Sequence, residues 1–401
     1  MRALILLLLI FCFSFSFGQK TIYKKYESGD LRDVRDVRIY LPKSYEKDSL
    51  ANFPLTIVLD AEKLYDLYLG VNNFYAARDE APEQIIVGVN MESTRIKDVA
   101  FNITDSKPTK DARRFYTFLR DELIPFVEAN YKTSPFLTIV GEGLTANMIT
   151  HFLQEDNPIF NAYISLNPTL APEINALVQN YRLEKMARMD NSFYYYISGN
   201  PFASSEKTER IQAFGQFMKS TEIENFSMVY DEFKSSTSSA STIGEGMSRA
   251  FANVFKDYLG FTDKEFEEEV KELDPPSAIS YLEVKYLDIE YLYGSNIGVR
   301  RKDVLAIEDI VIKQEEGNYL KPFGEMLLKL DPQSEMGNYY LGLFYENRKN
   351  FIAALDNYKK GYEKMDPDSL DAIDFYQNVQ RIQDITGKVD EETPEEEPEK
   401  N

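Results

Sequence analysis

The chain has 401 residues, 43% of them hydrophobic, with 45 basic and 66 acidic side chains and a net charge of −21. That is room for about two or three domains with real cores, which excludes a wholly disordered chain. The acid surplus argues against a nucleic-acid partner, because neutralising phosphate needs a basic surplus. There is one His, one Cys and no Trp. Zinc sites need about three or four Cys and His ligands, so they are out of reach, and no metal or cofactor is expected.

The chain opens on a targeting segment. Arg2 precedes an apolar run from Ala3 to Phe17. Ser16 and Gly18 are small residues three and one positions before a cut, so cleavage after Gly18 would leave Gln19 first. The run is shorter than the roughly 20 apolar residues of a membrane anchor. Lipidation at Cys12 would want a small residue where Phe11 stands. The expectation is a periplasmic or secreted protein with no membrane span after cleavage. The mature chain then has no Cys, so its cores must stabilise it without disulfides.

Strands and helices then alternate. Val37–Leu41, Leu55–Asp60, Gln84–Val89, Leu137–Val140, Ala162–Leu166, Phe193–Ser198 and Met228–Tyr230 read as strands. Asp111 to Tyr131 reads as a helix capped by Asp111, with Phe115, Phe118, Leu119, Leu123, Phe126 and Val127 on its apolar face. A Ser/Thr-rich loop over 235–242 leads to a closing helix, Ser248 to Tyr258. This alternation predicts an α/β fold, a mostly parallel sheet with helices on both faces. After the break Asp274-Pro275-Pro276 the chain reads helical to about Ile385, and the Glu- and Pro-rich end reads as a solvated tail. The implied boundaries are 1–18, 19–262, 263–386 and 387–401.

Several short motifs resemble those of one hydrolase family. They are Val58-Leu59-Asp60-Ala61, then Ile86-Val87-Gly88-Val89, then Arg95 to Asp98 as an Arg-x-x-Asp stretch. Pro125 to Tyr131 follows as a helix end, and Thr138-Ile139-Val140-Gly141 as the strand before a turn. Their order over roughly residues 25–260 resembles the Putative esterase family of α/β-hydrolases. That family includes siderophore esterases, feruloyl esterases and S-formylglutathione hydrolases. The resemblance implies an α/β-hydrolase fold with a nucleophilic serine on a sharp turn, written Gly-x-Ser-x-Gly, beside backbone donors for an oxyanion.

Here the turn reads Gly141-Glu142-Gly143-Leu144-Thr145. Gly143 holds the serine position and has no side chain to attack with. The family's base would fall near Ser238; no acid is placed, since after Tyr196-Ile197-Ser198-Gly199 the carboxylates Glu206 and Glu209 read as helix surface charges. His151 lies eight residues after Gly143, roughly 12 Å along a helix axis, too far to serve a substrate at the turn. Its neighbours Met148, Ile149, Phe152 and Leu153 make it a packing histidine. By resemblance, the surviving oxyanion donors would be the Leu144 N–H and one near Ala61 or Glu62. The residues of this vestigial pocket are Asp60, Ala61, Glu142, Gly143, Leu144 and Ser238, with no catalytic and no metal-binding residue assigned. A small acyl or carboxylate ligand suits such donors near a helix N-terminus, although the Glu142 charge opposes an anion.

The helical part carries a second resemblance. Leu341, Gly342, Tyr345, Ala354 and Tyr358, followed by Pro367, fall at the offsets of a tetratricopeptide repeat. Val304 to Leu330 is a weaker copy, and Asp371 to Ile385 would cap the stack. Such a module offers a groove for a protein or peptide. The combined expectation is an exported, catalytically inactive esterase-like protein that binds or scaffolds. The alternative is an active carboxylic-ester hydrolase with non-standard residues, of which Glu142 beside the oxyanion donors is the motivated candidate.

Overall fold

The apolar runs fold into one eight-stranded sheet with the order β1-β2-β4-β3-β5-β6-β7-β8. The strands are β1 (Lys20–Ser28), β2 (Asp33–Leu41), β3 (Phe53–Val58), β4 (Ile85–Val89), β5 (Thr133–Glu142), β6 (Ala162–Leu166), β7 (Phe193–Ser198) and β8 (Phe226–Asp231). The β1–β2 and β2–β4 pairs are antiparallel, and every other pair is parallel. This computed structural model describes residues 20–46, 51–154, 158–181, 189, 191–220, 223, 225–294, 297–313, 317–365 and 369–391. The expected signal segment lies outside them.

All residues of β3, β4, β6 and β7 are buried. Helices cover both faces, so these strands are continuous apolar runs rather than alternating ones. The main helices beside the sheet are α1 (Ala61–Ala76), α2 (Arg95–Val99), α3 (Lys110–Thr117), α4 (Leu144–Thr150), α5 (Ile174–Tyr181), α6 (Ser205–Ser220) and α7 (Ser239–Val254). Two segments, Phe118–Leu123 and Ile124–Asn130, extend α3. The alternation, the strand order and the crossovers make this an α/β-hydrolase fold.

Several local expectations need correction. The edge strand β1 has no apolar signal, since its outward residues are exposed, Tyr23 among them at 76%. The cap of α3 is Thr109, whose hydroxyl accepts the Ala112 N–H; Asp111 lies in the first turn and pairs with Arg114. The closing helix begins at Ser239, nine residues early, so half of the Ser/Thr-rich stretch is helical. The last helix runs to Glu391, so residues 387–391 are helical rather than part of the tail, and 392–401 lie outside the described residues.

By contacts the chain divides into two units. The described residues through Leu259, with Tyr291 to Gly294, form one; Gly260–Glu290 and the described residues from Ile297 onward form the other. The sequence boundary at 262 thus misses residues 291–294, which group with the sheet. The second unit consists of α8 (Pro275–Tyr293, as far as Glu290), α9 (Arg301–Lys313), α10 (Leu320–Leu330), α11 (Glu335–Asn347), α12 (Phe351–Tyr362) and α13 (Leu370–Glu391). From α10 onward each helix packs on the next. At Gly342 a Cβ would stand 2.5 Å from the Tyr358 ring, so α11 and α12 approach too closely for any side chain there. Ala354 and Tyr358 are fully buried in that seam. Pro367 lies outside the described residues. Among the described residues no helix is long and apolar enough to cross a membrane.

One buried ion pair ties β2 to α2. Arg35 Nη2 donates to both oxygens of Asp98 at 3.0 Å, and its Nη1 donates to Asp33 at 2.7 Å. Burial raises the Asp98 pKa, while the Thr94 hydroxyl and Arg35 pull it back down. Arg35→Met would leave Asp98, with a side chain 1% exposed, unpaired. The expected loss is about 3–5 kcal/mol, with most of it recovered in the Arg35→Met/Asp98→Leu double variant. Urea unfolding of the three proteins measures this.

Candidate functional site

The carboxyl ends of β3 and β5 lie side by side, joined by the Leu59 N–H to the Val140 carbonyl at 3.0 Å. Each strand leaves through a left-handed residue into a helix. After β3 this is Asp60, at φ 50° and ψ 46°, the N-cap of α1. After β5 it is Gly143, at φ 63° and ψ −111°, the N-cap of α4. A side-chain-bearing residue with φ in this region is held there at a cost of order 1–3 kcal/mol. Glycine meets that geometry without strain.

Arg95, the first residue of α2, reaches across both turns. Its Nε donates to Asp60 Oδ1 at 2.6 Å, and its Nη2 to Asp60 Oδ2 at 2.9 Å. The same Nη2 donates to the Glu142 carbonyl at 2.8 Å. Asp60 is fully buried, while the Arg95 side chain is 21% exposed. The Asp60 hydrogen bonds raise the guanidinium pKa further, so it is always charged. The Arg-x-x-Asp stretch is thereby explained: Arg95 clasps β3 to β5, and Asp98 holds Arg35.

Thr145 completes the clasp from beneath. Its Oγ1 accepts the Glu142 N–H at 2.8 Å and can donate to Asp60 Oδ2 at 2.8 Å or to the Glu142 carbonyl at 2.9 Å. It is fully buried, so its hydroxyl is structural. The turn is closed from the other side by the Gly143 N–H to the Leu166 carbonyl at 3.0 Å, and by the Thr169 N–H to the Gly143 carbonyl at 2.8 Å.

A Cβ at Gly143 would fit without a clash. A Cβ there would find only Arg95 Nη2, at 3.5 Å, and Thr169 Oγ1, at 3.8 Å, within 4 Å. Gly143, Glu142, Leu144, Arg95 and Thr169 are all half-buried. Leu144 and Ala61 are the first residues of α4 and α1, the places expected for oxyanion donors. Glu62 accepts the Met91 N–H at 3.1 Å. Lys207, in the first turn of α6, is half-buried. Burial lowers its pKa, and Glu142 and Arg95 are the charges that act on it.

Asp60, Ala61, Glu142, Gly143 and Leu144 thus meet at the two strand ends. Ser238 has a capping role. It is exposed, and its side chain is the N-cap of α7, in a reciprocal bond with Ser241. His151 is buried at the end of α4. Thr145, Thr169 and Lys207 escaped sequence reasoning as site residues. The first two look like ordinary strand-end polar residues. A lysine in the first turn of a helix opposes the dipole, and that was the one available signal.

Removing the Thr145 hydroxyl leaves the Glu142 N–H unpaired. Thr145→Val should cost about 1–3 kcal/mol and Thr145→Ser much less. Thermal unfolding of the two variants beside the native protein checks it.

Comparison with known proteins agrees with this fold. Residues 28–201 match the family model described as Putative esterase. No curated protein matches the chain. An uncharacterised protein from Capnocytophaga ochracea DSM 7271 superposes with a TM-score of 0.72 at 22% identity, over 91% of this chain and 100% of its own. An IroE-like serine hydrolase from Shewanella oneidensis gives 0.53 at 19% identity, over 80% of this chain and 100% of its own. The BES protein of Bacillus cereus gives 0.51 at 18%, over 58% and 94%. At these identities the likeness is one of fold. The sheet-bearing unit of this chain therefore has the α/β-hydrolase fold and resembles the Putative esterase family, whose model it matches over residues 28–201.

Proposed function

We propose that this is an exported esterase-fold protein without serine-hydrolase chemistry, whose former active site binds a ligand instead of cleaving one. The observation that carries this is Gly143, which keeps the backbone of a nucleophile turn but offers no hydroxyl. The other roles are unfilled too. Ser238 caps a helix, and the strand after which the acid would stand ends in buried Ser198, whose hydroxyl accepts the Asn167 N–H. A base has no nucleophile to activate, and an acid has no base to orient.

The part-exposed Arg95 guanidinium beside Gly143, where a Cβ would meet no clash, supports retained binding. Two of the surrounding donors, Arg95 and Thr169, are fixed by their bonds to the turn, so little ordering is required when a ligand arrives. The helical unit adds a second surface, a repeat-like stack of successive helices suited to a protein or peptide.

Purified protein should hydrolyse a panel of short-chain 4-nitrophenyl esters no faster than buffer, and Gly143→Ser should remain near that level because no base stands beside the new hydroxyl. Robust native turnover that Gly143→Trp abolishes would overturn this reading in favour of a displaced mechanism, with Glu142→Gln as its first test. Export is checked separately. Protein recovered from outside the cytoplasm should begin at Gln19 by N-terminal sequencing; an intact Met1 on all of it contradicts the targeting reading.

A further inference from the structure

The helical unit carries a groove that neither the Gly143 turn nor the repeat-like stack accounts for. α8 buries Ala278, Ile279, Leu282 and Tyr286 in the core of that unit. Its other face leaves Val284 54% and Leu287 43% exposed. Beside it runs the segment Asp263 to Asp274, and side chains from the two line a cavity of about 600 Å³. On α8 the lining residues are Ser277, Ser280, Tyr281, Val284 and Asp288, spaced to share one face, with Lys285 next to them. Glu265 and Leu273 line it from the segment.

Lys285 donates to both Glu265 oxygens, at 2.7 and 2.9 Å. The Tyr281 hydroxyl donates to Glu265 at 3.1 Å and to Glu269 at 2.8 Å. These bonds tie the two walls together and occupy the one cation among the lining residues. Asp288 is exposed and has no ion pair among the described residues. Charge is one-sided along the segment. Asp263 to Asp274 has seven acids and two lysines. Both lysines are already paired, Lys264 with Glu268 at 3.8 Å and Lys271 with Glu267 at 2.8 Å.

We propose that this groove docks a basic segment of a partner protein, with an apolar side chain seated on Val284 and lysines or arginines facing Asp288 and the acidic segment. The proposal goes beyond the reading of the Gly143 turn and does not depend on it. Complementarity names the occupant. An apolar anchor gains affinity where Leu273, Tyr281 and Val284 exclude water. Ser277 and Ser280 are small, so a partner can approach α8 closely. The acid surplus sets the sign: it attracts a basic segment and repels an acidic one, including this chain's own Glu-rich end.

Fluorescence anisotropy of a labelled helical peptide, leucines along one face and lysines on the other, tests this on the purified protein. The peptide should bind, and the same peptide with glutamates for lysines should not. Asp288→Lys should weaken binding about tenfold and Val284→Ser about fivefold. Both positions are exposed, so the fold should be kept, as circular dichroism checks. Glu209→Lys makes the same charge change at an exposed position of α6, in the other unit, and should alter binding less than about twofold. Equal losses in Glu209→Lys and Asp288→Lys would reduce the effect to overall charge and overturn the proposal. So would an affinity unchanged in Val284→Ser, or no binding at peptide concentrations up to about 100 μM. A native dimer in sedimentation that Asp288→Lys dissociates would give the groove to a second copy and overturn it too.

Discussion

The contact between Asp60 and Arg95 organises the end of the sheet where ligands meet this fold. Asp60 sits in left-handed backbone with no solvent exposure, a place where an unpaired carboxylate would be costly. Arg95 meets it along one edge of the guanidinium and, with the same nitrogen, holds the carbonyl that precedes Gly143. Thr145 binds the same carboxylate and the same peptide from below. Three chain segments far apart in sequence are fixed at one point. The shape of the turn and the place of the Arg95 guanidinium beside Gly143 follow from that.

In an esterase of this fold the strand-to-helix turn carries its strain for the sake of a reactive hydroxyl. Here the turn is retained and the hydroxyl is absent. The electrostatic character of the site changes with it. The segment that aligns with the family's base is spent on capping α7. Around the turn, the Arg95 guanidinium and the backbone of Thr169 are held in fixed directions by their bonds to it.

Much of the fold was legible from the chain because burial on both faces leaves a coarse mark. Leu55–Leu59, Ile85–Val89 and Ala162–Leu166 are apolar at nearly every position, and the structure buries them all. The edge strand β1 left no such mark, since its pairing with β2, the Tyr26 ring contacts and the Ser28 hydroxyl bond to Glu122 hold it rather than an apolar run. Asp33 and Arg35 hid the start of β2: they pair with each other, and Arg35 also pairs with Asp98, 63 residues on. The missing nucleophile was legible as one residue in one motif. The clasp was legible only as Asp60 and an Arg-x-x-Asp stretch 35 residues later, with nothing to say that they meet. The capping role of Ser238 was not legible because a helix start in a run of serines has no apolar periodicity to announce it.

Gly143 also sets a direction on sequence change. Once glycine occupies a left-handed turn, the strain that a serine would impose is gone, and the unit keeps that stability for as long as glycine stays. A serine placed there would reinstate the strain, so glycine is the residue with which this turn keeps its geometry at least cost.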